Sequence, residues 1–313
     1  HNALQGQVVA LADVIIVNFM LKENILKTPL KILTNEQREE YFEEGGIKVN
    51  DVLNKDWLDK AKLSVEEFIQ KSKNLSNSNI IYDLQKDHTF ENPKLRRVTS
   101  PCDYSADLWK LLLDGPIGDI AEDLLGPCVR FYQSKLNFKS PKGGTEVKWH
   151  QDKPYFPHTN DSVLTIGVYL EDCDDSQGPL EIIPGSHKKD IFSHYDQSKW
   201  IGNINDKDLS KIDLSKNKIL KGNAGSITIH NYKTIHGSKP NNSKTSRPLM
   251  LYVLSSGDSV PFTPQPLKSK YEQTIVRGIH DNQIHCDSGD YQIPPNWSNG
   301  YSSIFAIQQK ENN

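Results

Sequence analysis

At Cys128 the apolar pattern of this chain changes period, and that change limits the available folds more than any other feature of the sequence. Upstream, apolar residues recur at helical spacing. Asp56 to Ser72 carries Trp57, Leu58, Ala61, Leu63, Val65, Phe68 and Ile69 along one predicted helix, with a break expected near Ser64. Further helices are predicted over Ala106 to Leu113 and Ile117 to Leu125, the second ended by Gly126-Pro127. An earlier helix opens at Thr34, an N-cap residue with Gln37 at the capping-box position, and stops at Gly45-Gly46 before a short strand, Ile47 to Val52. From Cys128 the period becomes two: Val129, Phe131 and Gln133 alternate with Arg130, Tyr132 and Ser134. Strand-like runs follow at Val163 to Leu170, Leu180 to Pro184, Gly225 to His230 and Pro248 to Leu254, with no helices alternating between them. This order predicts an all-β core with flanking helices, folded as an antiparallel sandwich or barrel. Lys188 to Lys221, rich in Lys, Asp, Ser and Asn, reads as a surface insertion.

Charge narrows the range of partners. Lys plus Arg number 37 and Asp plus Glu 40, a net charge of −3, so no cationic excess exists to neutralise nucleic acid or an anionic membrane. Cys102, Cys128, Cys173 and Cys286 form no C-x-x-C pair, which argues against a zinc ribbon and against a disulfide framework. The apolar window Val8 to Leu21 is interrupted by Asp13 and Asn18 and falls short of the roughly 20 residues a membrane span needs. The expectation is a cytoplasmic protein, monomer or homodimer, with residues 1–32 as an N-terminal extension and residues 33–313 as one catalytic-size domain whose β core starts near 128.

The chemistry concentrates around Trp149-His150-Gln151-Asp152-Lys153-Pro154-Tyr155-Phe156. On a strand, His150 and Asp152 point to the same face and supply two ligands for a divalent metal. A bare H-x-D occurs often by chance, so a third ligand from a distant strand is required. His236, in Thr234-Ile235-His236-Gly237-Ser238, is that candidate, and two His with one Asp form the facial triad of non-haem Fe(II) oxygenases. His230 is its rival and is read as a core histidine or one lying behind the ligands. Arg247, eleven residues after His236 at the mouth of a strand, suits a carboxylate of a bound diacid through a bidentate pair. Tyr155 and Phe156 are candidates for a substrate wall or for core, and Arg97 reaches toward the pocket from the helical region or is an ordinary surface charge. His187 reads as a loop hydrogen-bonder.

Taken in order, Leu33-Thr34-Asn35-Glu36-Gln37-Arg38, Trp149-His150-Gln151-Asp152, Gly178-Pro179-Leu180-Glu181-Ile182-Ile183-Pro184-Gly185-Ser186-His187, His236-Gly237-Ser238 and Arg247 resemble the phytanoyl-CoA dioxygenase family of Fe(II)/2-oxoglutarate-dependent oxygenases. The resemblance implies a double-stranded β-helix (jelly-roll) core with iron on His150, Asp152 and His236. It implies 2-oxoglutarate anchored by Arg247 and Ser238, dioxygen as oxidant, and release of succinate and carbon dioxide. Lys135, Asn137 and Gln133 share a strand face and are expected to line the cosubstrate and substrate pocket. Related halogenases lack the metal carboxylate, so Asp152 favours hydroxylation of a small polar metabolite. Desaturation or cyclisation, a zinc hydrolase on the same ligands, and a jelly-roll binding module with a vestigial site are the competing expectations.

Overall fold

A computed structural model of the chain describes residues 22–280, 282–298 and 300–310. The apolar window Val8 to Leu21 and the rest of the first 21 residues lie outside them. Helices α1 (Lys22–Ile25), α2 (Asn35–Glu44), α3 (Lys55–Ser72), α4 (Ala106–Leu113) and α5 (Pro116–Leu125) precede most of the β core, and α6 (Asp206–Leu209) and α7 (Ile304–Gln308) come late. The strands are β1 (Gly46–Val49), β2 (Tyr82–Leu84), β3 (Leu95–Thr99), β4 (Val129–Lys139), β5 (Val147–His150), β6 (Val163–Tyr169) and β7 (Leu180–Ile182), followed by β8 (Tyr195–Asp196), β9 (Lys199–Trp200), β10 (Lys218–Leu220), β11 (Ile227–Asn231), β12 (His236–Ser238), β13 (Arg247–Ser256) and β14 (Ile275–Arg277).

Two sheets form the jelly roll. The larger runs β1-β11-β6-β13-β4-β3-β2, with β14 also paired to β4; the smaller runs β10-β7-β12-β5. Alternation sorts the large sheet's residues between two faces. Leu136 and Phe138, Leu164, Ile166 and Val168, Ile227 and Ile229, and Met250, Tyr252 and Leu254 join one apolar core with Phe68, Leu108, Leu112 and Ile120 of the helices. The opposite face looks toward the small sheet and carries the polar residues. A bulge sits where Val253 pairs Gln133 but Leu254 pairs Phe131, leaving Tyr132 as the extra residue. The simple alternation expected from Val129 to Ser134 is therefore reset, and Phe131 and Gln133 end on different faces.

Local signals hold where they are covalently simple. Thr34 caps α2 through a capping box, and Gly45 ends it in the left-handed region at φ 80. A Cβ at Gly45 would also come within 2.2 Å of His187 Nδ1, so the helix end packs directly on that loop. Helix α3 shows no break at Ser64, whose hydroxyl bonds Lys60 O at 3.1 Å and Ser105 Oγ at 2.8 Å. Residues of the expected extension are held against the domain: Asp123 carboxylate oxygens accept from the amides of Lys31, Ile32 and Leu33, and Arg38 donates to Ile25 O and Leu26 O. The Lys188 to Lys221 segment is more than surface. Ile204 is buried with Ile183 and Ile235, and Trp149, Phe192, Leu209, Ile212 and Leu214 pack around them, so sparse apolar residues clamp the segment onto the small sheet. No helix among the described residues is long and apolar enough to cross a membrane.

Candidate metal and cosubstrate site

His150 is the last residue of β5 and His236 the first of β12, and the two are direct register partners. Cross-strand pairing therefore brings together imidazoles 86 positions apart in the chain, with ring centroids 4.1 Å apart. Each ring is aimed in the same way. His150 Nδ1 bonds Lys148 O at 2.8 Å and His236 Nδ1 bonds Thr234 O at 2.8 Å, in both cases the carbonyl two residues earlier. A proton held at Nδ1 leaves Nε2 as a bare lone pair facing the cavity.

Asp152 arrives differently from the expectation. The strand ends at His150, and Asp152 stands in the turn that follows, its amide donating to Tyr232 O at 2.8 Å. Convergence with His150 comes from this turn rather than from strand alternation. Its Oδ1 lies 3.8 Å from His150 Nε2 and 3.9 Å from His236 Nε2. Its Oδ2 accepts from Thr165 Oγ1 at 3.1 Å and lies 3.4 Å from His230 Nε2. The carboxylate thus presents one oxygen to the two histidines and has the other held from behind. His150, Asp152 and His236 are all buried and offer ligand atoms within 4.8 Å of one another. His230 is not among them.

Burial opposes ionisation of Asp152, but the imidazoles of His230 and His236 and the Lys135 ammonium outweigh it and hold the carboxyl below its usual range. Burial lowers the pKa of His150, and lowers that of His236 strongly with help from its two histidine neighbours. A charged carboxylate with neutral imidazoles is the protonation state that divalent-metal binding needs. Buried, converging and uncompensated, these donors fit an iron(II) ion.

A second orphaned group lies in the same cavity. Arg247 opens β13, is 4% exposed, and among the described residues has Nε and Nη1 buried without partners, while Nη2 donates to Gly178 O at 3.3 Å. Lys139 is its cross-strand partner and is also buried, its Nζ bonded to Ser238 O and Lys239 O. Burial, then the charge of Arg247, pushes the pKa of Lys139 well below the usual lysine range, a cost that an anion beside the pair would offset, and the distal carboxylate of 2-oxoglutarate has the matching charge and planarity.

Arg97, Lys135, Asn137, Tyr155, Ser238 and Arg247 line this cavity together with the three metal-ligand candidates and His230. Arg97 reaches it from strand β3 rather than from a helix, paired with Asn137 of β4. Gln133 and Phe156 do not line it. Gln133 sits at the bulge opposite Val253, and Phe156 packs in a cluster with Tyr132, Val163, Tyr232 and Val253. Tyr155 forms wall, its hydroxyl donating to Gly202 O at 2.6 Å. His187 bonds Phe42 O at 3.2 Å, the loop role expected of it.

Sequence reasoning passed over five contributors. Gln151, between two ligands, is fully buried: its amide donates to His194 Nε2 at 3.0 Å, its Oε1 accepts from Phe192 N at 2.9 Å, and its Nε2 donates to Lys233 O at 2.8 Å. Lys139 lay in a strand already noted, and its spacing of two from Asn137 was the available signal. Tyr301, Ile304 and Phe305 close the cavity from near the C-terminal end of the sequence, where no motif marks them.

Residues 41–249 match the family model for phytanoyl-CoA dioxygenase. A probable alpha-ketoglutarate-dependent hypophosphite dioxygenase of Stutzerimonas stutzeri is 30% identical over 246 residues, 78% of this chain and 86% of that protein. An ectoine dioxygenase of Bordetella parapertussis is 29% identical over 174 residues, 50% of this chain and 56% of that protein. Among solved structures, iron-bound EctD from S. alaskensis shares the fold with a TM-score of 0.66 at 18% identity, covering 85% of this chain and 92% of that one. The chain belongs to the phytanoyl-CoA dioxygenase family and is an Fe(II)/2-oxoglutarate-dependent dioxygenase.

Proposed function

We propose that His150, Asp152 and His236 hold the iron, that Arg247 with Ser238 anchors the distal carboxylate of 2-oxoglutarate, and that residues 33–313 act as one unit hydroxylating a small polar metabolite. The observation that carries this reading is the convergence, in one buried cavity, of three aligned ligand atoms and a guanidinium with two unpartnered nitrogens. When bound, iron and 2-oxoglutarate supply the oxidising power, with dioxygen consumed and succinate and carbon dioxide released. The chain's own work is positional. Lys148 O and Thr234 O fix the imidazole tautomers, and Thr165 with His230 turns one Asp152 oxygen away from the ligand face. Lys135 and Asn137 line the same cavity from β4, where they contribute to holding the cosubstrate. Tyr155 and Phe305 narrow the space that bulk water can reach.

Asp152 decides the reaction type. On a bound iron its carboxylate would be a third protein ligand where related halogenases have none, which favours hydroxylation over halogenation. Turnover under labelled dioxygen, with and without chloride, tests this by product mass. One labelled oxygen per product, independent of chloride, is expected; a chlorinated product would overturn the reading.

A further inference from the structure

Strand β3 carries two adjacent arginines with opposite surroundings. Arg96 is neutralised: its Nε and Nη2 bond Asp83 Oδ1 at 2.8 and 2.7 Å. Arg97 points to the other face, into the cavity, and is 4% exposed. Its Nε donates to Asn137 Oδ1 at 2.9 Å, and its guanidinium lies 5.1 Å from the ring centroid of Phe305. Both contacts orient the group and neither cancels its charge. Among the described residues it has no carboxylate partner, although an unpaired buried charge is expensive.

The rest of the cavity sharpens the point. Arg97, Lys135, Lys139 and Arg247 face it, against the single carboxylate of Asp152. An iron(II) ion and a 2-oxoglutarate dianion cancel one another, so the cationic surplus of the lining remains when both are bound. Arg247 and Lys139 stand together at one position across β13 and β4. Arg97 belongs to the other side of the sheet, where Thr99 two residues on pairs with Lys135. Burial, then the charge of Arg97, pulls the Lys135 ammonium down to about 8, as expected of two cations sharing a poorly hydrated space.

Resting on the metal and cosubstrate assignments above, in which Lys135 serves the cosubstrate, we propose that Arg97 anchors an oxyanion group of the substrate, a carboxylate or a phosphorus oxyanion. Asn137 is the positioning residue: by taking Nε it leaves both terminal nitrogens as a fork toward the ligand. Phe305 covers the guanidinium from the C-terminal segment and Tyr301 lines the same cavity, so substrate recognition and cavity closure meet at one side chain.

The test uses protein loaded anaerobically with Fe(II) and 2-oxoglutarate, followed by the metal-to-cosubstrate absorbance and by calorimetry. It is titrated with butyrate against butyramide, and with ethylphosphonate against its diethyl ester. At least tenfold tighter binding of the charged member is expected in one pair or both, and the pair that shows it assigns the head group. Arg97→Gln should lose at least tenfold in oxyanion affinity while 2-oxoglutarate affinity stays within twofold, and Arg97→Lys should recover part of the loss. Charged and neutral members binding alike, or binding not at all, overturns the proposal, and does so on wild-type protein whether or not a variant folds. A loss in Arg97→Gln that falls on 2-oxoglutarate instead reassigns the arginine and overturns it as well. Wild type that forms no absorbance band strikes the metal and cosubstrate assignment itself, a result distinguishable from the others.

Discussion

The two sheets that enclose the cavity reach it by different means. Strands of the small sheet are three or four residues long, and its two metal-ligand candidates sit at strand ends, His150 closing β5 and His236 opening β12. In the large sheet, β4 runs eleven residues and β13 ten, and polar residues enter the cavity at steps of two: Lys135, Asn137 and Lys139 on one strand, Arg247 at the start of the other. A strand end lets backbone carbonyls leave the ladder and aim a side chain, as Lys148 O and Thr234 O do for the imidazoles. A long strand paired on both sides cannot bend toward a point over its regular part, but it holds charges at fixed spacing over a wide area. Metal ligation suits the first property; anchoring a distal carboxylate, and the substrate oxyanion proposed above, suits the second.

Breaking the small sheet's contribution should have the largest effect. His236→Ala, His150→Ala and Asp152→Ala each remove one of three ligands, and all turnover with most Fe(II) affinity should vanish, read by metal analysis of reconstituted protein. On the large sheet, Arg247→Ala should leave iron in place and weaken 2-oxoglutarate by about 2–5 kcal/mol, the loss typical when one partner of a buried charge pair is removed. Arg247→Lys should rescue only in part, because an ammonium lacks the planar fork. His230→Ala tests the border between the sheets. As a neighbour of Asp152 Oδ2 rather than a ligand, it should lower iron affinity by about 10–100-fold without abolishing it. The smallest effect is expected from Tyr155→Phe, which forfeits one hydrogen bond to Gly202 O, about 0.5–1.5 kcal/mol in unfolding free energy, with iron and 2-oxoglutarate binding unchanged.

Legibility in the sequence followed the same division. The period change at Cys128 and the helices over 106–113 and 117–125 were readable because local patterning sets them. The meeting of His150, Asp152, His236 and Arg247 in one cavity was readable because residue type and order carried the signal, though the turn that delivers Asp152 was not. Strands β2 and β3 were missed. Leu95 to Thr99 is mostly buried, yet its Arg96-Arg97 pair hides the period of two, and only the partner strand shows which arginine faces inward. Gln133 keeps the face of Lys135 and Asn137 but lies at the bulge end of β4, outside the lining, and the buried cluster around Phe156 claimed a residue that looked like wall. Both depend on packing between segments far apart in the chain, which no local pattern encodes.

On this account His150 and His236 at strand ends of one sheet, Asp152 in the turn after β5 and a guanidinium from the other sheet complete a single iron and 2-oxoglutarate site. Anaerobic titration of Fe(II)-loaded protein with 2-oxoglutarate, followed by visible charge-transfer absorbance in wild type, His236→Ala and Arg247→Ala, tests it most directly. The band should develop in wild type, be absent from His236→Ala, and appear in Arg247→Ala only at cosubstrate concentrations at least tenfold higher. A band that saturates at the wild-type concentration in both variants would contradict the account.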